Sequence, residues 1–140
     1  MNLLITGIVI ADPNSQFNQK KCDVRVEQGK ITAIGNNLTA SKNEQVFDGQ
    51  GAVLSPGFFD LNCSIGDPGF ETKEDINTAT EAAKAGGFTG IAVLPNTKPV
   101  VQSKAEVEYI INRAKNNLVD VLPIGAVSQG LEGKELAELY

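Results

Sequence analysis

The chain has 140 residues, 41% hydrophobic and 21% charged, a balance that excludes disordered and fibrous classes. Its net charge of −5, with Lys and Arg scattered, has the wrong sign for a nucleic-acid or anionic-membrane surface, and no apolar stretch is long enough for a membrane span. It contains no histidine, which excludes from these residues a Ser-His-Asp or Cys-His nucleophile pair and any imidazole-bound zinc. The N-terminal MNLLITGIVIAD lacks a basic region ahead of its apolar run, and Cys22 and Cys63 cannot form a disulfide framework. A reduced, cytoplasmic protein is expected.

The first 55 residues read as short strands. Leu3 and Ile5, then Ile8 and Ile10, alternate with their neighbours at period two. Residues 13–21 are polar and predict a loop. In 22–27, Val24 and Val26 alternate with Asp23, Arg25 and Glu27; Gln28-Gly29 and the run 30–35 follow, so the spacing predicts a hairpin. Residues 52–54 form a further short strand. The expectation for residues 1–55 is a small antiparallel β layer.

After Pro56-Gly57 the rhythm becomes strand, helix, strand, helix. Residues 58–64 read as a strand ending in the turn 66–69. Thr72 is the expected N-cap of a helix through Ala85, with Glu74 and Asp75 in its first turn. Gly86-Gly87 stops it. Residues 88–94 are an apolar run typical of a buried parallel strand. Ser103 with Glu106 forms a capping box, and Val107, Ile110, Ile111 and Ala114 make one apolar stripe behind it. Asn116-Asn117 ends that helix, 119–127 is a third strand, and a third helix is expected from about Gly133. Strands alternating with helices imply a parallel sheet with right-handed crossovers. Three such units open either a doubly wound sheet or a (β/α)8 barrel. A barrel takes roughly 250 residues, so that alternative makes the chain an incomplete fragment.

In the strand 58–64, ideal alternation puts Asp60, Asn62 and Ser64 on one face and Phe59, Leu61 and Cys63 on the other. The polar face is a candidate site at the strand's C-terminal end; alternatively Asp60 caps a loop and the other two bond locally. Asn96, between Pro95 and Thr97, lies where parallel α/β sheets hold ligands, although an Asn there also suits an ordinary turn. The glycines of 86–90 lie between a helix and a strand, the reverse of a phosphate loop, and predict close packing. Cys63 has no histidine or evident cation to lower its pKa, so it reads as a free thiol rather than a nucleophile.

Pro56-Gly57-Phe58-Phe59-Asp60, Asp67-Pro68-Gly69, Lys73-Glu74-Asp75, Ala82 through Thr89, and Pro95 through Pro99 together resemble the opening of the dihydroorotases, zinc-dependent cyclic amidohydrolases. The hairpin around Glu27-Gln28-Gly29-Lys30-Ile31 resembles the small β domain of that superfamily. The resemblance covers essentially the whole chain. It implies an α/β fold in which residues 1–55 are the N-terminal portion of a composite β-sandwich. Residues 56–140 would then be the first three βα units of an amidohydrolase-type TIM barrel, with the remainder beyond Tyr140.

The family carries Asp-x-His-x-His on its first barrel strand, both imidazoles binding zinc, soon followed by an Arg that holds the substrate carboxylate. The matching positions here are Asn62, Ser64 and Gly66, with Asp60 the residual carboxylate and Asn96 matching a substrate-binding Asn. A neutral amide and a hydroxyl suit zinc poorly, and Cys63 faces away unless the strand bulges. The resemblance thus implies a catalytically silent dihydroorotase-like protein of pyrimidine biosynthesis, with no cofactor expected in this chain. Aspartate carbamoyltransferase is the implied partner, and a homo-oligomer is expected. The alternatives are an active dihydroorotase whose metal is held by residues beyond 140, and a small-molecule binding module on the same scaffold.

Overall fold

A computed structural model describes residues 2–139, which divide into two compact units at the Pro56–Gly57 bond. The first unit contains β1 (Asn2–Ile10), β2 (Lys21–Glu27), β3 (Lys30–Gly35), β4 (Gln45–Asp48) and β5 (Val53–Leu54). These form one five-stranded sheet in the order β3-β2-β1-β4, with β5 pairing β1 beyond β4. β1 is antiparallel to β2 but parallel to β4 and β5, so the layer is mixed, not antiparallel as expected. Alternation identifies a strand but says nothing about its direction. Among the described residues of this unit there is one sheet, with no second sheet of a sandwich.

The hairpin between β2 and β3 turns through Gln28 and Gly29, at φ 51° and 77°. Two successive positive φ values match the twist of a two-residue hairpin. In β1 the pairing with β2 slips between Ile5 and Ile8, where Gly7 takes φ 65° and donates its N–H to Asp23 Oδ1 at 2.8 Å. The slip lets Ile5 join Ile8 and Ile10, out of phase with it in sequence, in one cluster with Cys22 and Val24. Leu4 is 1% exposed as well. Arg25 clamps Glu44 through Nε at 2.8 Å and Nη2 at 3.1 Å, and its Nη2 also donates to the Thr39 carbonyl at 2.6 Å.

The second unit has three parallel strands, β6 (Phe58–Cys63), β7 (Phe88–Val93) and β8 (Asp120–Pro123), in the order β6-β7-β8. Two helices, α1 (Ile76–Ala85) and α2 (Lys104–Ala114), connect them. Ile76 and Ala79 of α1, Ile110 and Ala114 of α2, Ile91 and Val93 of β7 and Val121 of β8 form the buried core between helices and sheet. This is the seam expected of strand–helix–strand connections.

Four sequence expectations change here. The N-cap of α1 is Asp75, not Thr72: its side chain accepts the Thr78 N–H at 2.8 Å, and Thr78 Oγ1 accepts the Asp75 N–H at 3.1 Å. Glu74 and Asp75 therefore precede the helix. Of the stripe on α2, Ile110 and Ala114 are buried and Val107 packs against the core, but Ile111 is 49% exposed. The third strand covers only 120–123 of the expected 119–127. In place of a third helix, a short 3-10 turn occupies Gln129–Leu131, and the segment after it folds back, with the Ala137 N–H donating to the Val127 carbonyl. Gly130 and Gly133 at positive φ break the helical path there. Among the described residues no helix is long and apolar enough to cross a membrane.

Candidate functional site at the strand ends

β6 and β7 run parallel, so residues paired across them start on the same face of the sheet. Asp60 pairs with Ile91 and Cys63 with Val93, yet two residues of β6 and one of β7 lie between these pairs. That extra residue is a bulge at Leu61-Asn62. Ile91 and Val93 belong to the core under the helices, so Asp60 and Cys63 both start on the helix side. The expected face of Asp60, Asn62 and Ser64 is therefore broken. Asn62 and Ser64 are exposed, Leu61 is 76% exposed, and Asp60 is half-buried apart from them. Asp60 Oδ1 accepts the Asn62 N–H at 2.9 Å, so the carboxylate serves the bulge itself.

Ser64 and Asn96, which the sequence places 32 residues apart, do meet. Asn96 Nδ2 donates to Ser64 Oγ at 3.2 Å, joining the ends of β6 and β7. The turn carrying Asn96 is held by Thr97, 4% exposed, whose Oγ1 donates to the Pro99 carbonyl at 2.8 Å, and by the Val101 N–H donating to the Pro95 carbonyl. Asn96 is thus presented outward at the carboxyl end of a parallel strand, where such sheets place ligands.

Cys63 packs against the core, and burial pushes its thiol pKa up, with Asp60 and Glu74 adding to the rise. A thiol held protonated by an apolar wall and two carboxylates is a poor nucleophile and a poor soft ligand. The bulge does bring Cys63 to the same side as Asp60, but that side is the core, away from Asn62 and Ser64.

Sequence reasoning missed Asp67, which is 1% exposed. Its Oδ1 accepts the Tyr109 hydroxyl at 2.8 Å, its Oδ2 accepts the Ile76 N–H at 3.3 Å, and Arg113 Nε lies 3.9 Å from Oδ2. The Asp67 carboxylate raises the Tyr109 pKa, since ionising the phenol would cost that hydrogen bond. In the sequence Asp67 stood out only as part of the Asp67-Pro68-Gly69 motif, and its partners only as Tyr109 and Arg113 at helical i, i+4 spacing.

A tetrahedral zinc would need imidazole, thiolate or carboxylate donors converging at the strand ends. The outward donors there are an amide, Asn62, and a hydroxyl, Ser64, already engaged by Asn96. Among the described residues, no three His, Cys, Asp or Glu side chains converge into a set that could hold a metal ion. The residues present do not fit zinc.

Comparison with known proteins gives the class first. The L-hydantoinase (dihydropyrimidinase) of Arthrobacter aurescens superposes with a TM-score of 0.77 at 21% identity, covering 91% of this chain and 28% of that one. A dihydroorotase structure superposes with a TM-score of 0.64 at 15% identity, covering 91% of this chain and 32% of that one. Over the matched residues the fold is that of the corresponding parts of these two structures. Residues 51–140 match the family described as dihydro-orotase-like. The protein named dihydroorotase from Geobacter sulfurreducens is 46% identical over 140 residues, 99% of this chain and 33% of that protein. This chain belongs to the dihydro-orotase-like family, and it spans about a third of the length of the curated relatives it matches.

Proposed function

We propose that the protein carrying this chain is a cytoplasmic dihydroorotase-like member of the pyrimidine pathway that has lost hydrolytic activity and acts in a structural or regulatory role. The observation that carries this reading is the strand-end pair Ser64–Asn96. A position matching a zinc-binding imidazole of the family holds a hydroxyl that takes its hydrogen bond from the neighbouring turn. Asn62, at the other such position, offers only a neutral amide. In zinc hydrolases the metal lowers the pKa of its bound water to near 7. Amide and hydroxyl oxygens at this site supply no comparable grip on a zinc ion.

The proposed partner is aspartate carbamoyltransferase, with self-association of the protein as part of the same role. Asn96 keeps the residue type that binds substrate in the family, and here its amide supports Ser64.

Elemental analysis and a dihydroorotate hydrolysis assay on the full-length protein test the silence. We expect substoichiometric zinc and turnover far below the range of about 1 to 1,000 per second typical of enzymes. Stoichiometric zinc together with turnover inside that range would overturn the reading. Co-purification with a carbamoyltransferase checks the partner separately.

A further inference from the structure

Gly66 is buried, between Ile65 and Asp67, in the loop that follows β6. Its N–H donates to the Glu74 carbonyl at 3.1 Å, and its own carbonyl accepts the Phe70 N–H. A Cβ at position 66 would lie 2.7 Å from the Glu74 carbonyl oxygen and closer still to that of Phe70. Both obstacles are backbone, so no rotamer change removes them. Three residues on, Gly69 takes φ 97°, and a Cβ there would overlap the Lys98 carbonyl group. The Lys98 N–H donates to the Pro68 carbonyl at 2.9 Å, and the Gly69 N–H donates to Glu71 Oε1 at 2.8 Å. The loop after β6 is therefore packed backbone to backbone on the turn that carries Asn96. Asp67 pins it to α1 and α2 through Ile76 and Tyr109.

We infer that residues 66–74 and 95–99 form one preassembled clasp in which positions 66 and 69 must be free of side chains. The clasp fixes the strand-end site in a form that cannot take a side chain, charged or otherwise, at position 66. A clasp of this kind is built by steric exclusion, backbone against backbone. The inference deepens the proposed silence, because it makes the lost side chain at position 66 unrecoverable by single substitution. The two ideas fail separately: silence is read by metal and turnover, the clasp by protease cleavage.

The test uses Gly66→Ala, Gly69→Ala and Gly66→Arg in the full-length protein, with Gly35→Ala as the control. At Gly35 a Cβ meets nothing nearer than Leu38 Cδ2, 3.7 Å away. Trypsin cleavage after Lys73, an exposed residue inside the clasp, is the readout. We expect cleavage to rise about tenfold or more in the three clasp variants and to stay at the parent rate in Gly35→Ala, since opening a loop exposes its backbone to protease. Gly66→Ala carries the decision if Gly66→Arg fails to fold. Parent-like cleavage of Gly66→Ala would overturn the inference whatever its melting temperature.

Discussion

Glu44 illustrates how a single carboxylate writes a pH dependence into the molecule. Its side chain is 2% exposed, Arg25 holds it through two nitrogens, and the Ser41 N–H adds a third bond at 3.0 Å. The Arg25 hydrogen bond, then the Ser41 N–H, pull its pKa below the usual carboxylate value. Glu71, Asp75 and Glu106 are lowered too, chiefly by the Gly69 N–H, the Thr78 N–H and the Ser103 side chain respectively. A folded pKa below the unfolded one means that the unfolded chain takes up protons first as pH falls. The stabilisation is complete above the ordinary carboxylate range of about 4 and drains away as pH drops through the folded values. Urea midpoints measured from pH 7 to pH 3 should fall steadily, with a shallower fall in Glu44→Gln; parallel curves would refute this assignment. Residue identity alone picked out Asp60, Asn62, Ser64 and Asn96 as candidate site residues; that Asn62, Ser64 and Asn96 are exposed comes from the fold. It did not pick out Asp67, because Tyr109 lies 42 residues away and only the folded chain brings it near.

Elements built from local signals were the most legible. The capping box of Ser103 with Glu106 and the hairpin at Gln28-Gly29 form as their spacing dictates, because every group involved lies within a few residues. The bulge at Leu61-Asn62 was illegible, since a strand's register depends on a partner that sequence periodicity does not specify. The start of α1 was misplaced by three residues for a related reason. Thr72 and Asp75 are both good caps, and the choice falls to Asp75, whose partner Thr78 completes a reciprocal pair. Replacing Asp75 with Ala should cost about 1 kcal/mol of stability in chemical denaturation, while Thr72→Ala should change it by less than about 0.5 kcal/mol. Equal effects would return the cap to Thr72.

At the scale of the molecule, the three-stranded sheet of the second unit has, among the described residues, unpaired outer edges at β6 and β8. Phe58, Leu61 and Leu122 on these strands are 59%, 76% and 52% exposed. Open edges bearing apolar side chains template association. The 140-residue chain expressed by itself should self-associate in light scattering at micromolar concentration, and a clean, stable monomer would count against this. In the first unit, β1 is the strand on which the sheet is organised, and its neighbours arrive in turn: β2 at once, β4 and β5 only as residues 45–54 are made. Within this unit β1 therefore keeps one edge unfilled during synthesis until Leu54 emerges, with the β2–β3 hairpin as its nearest ready template. A nascent chain stalled before that point would offer chaperones the edge of β1 that otherwise pairs β4 and β5.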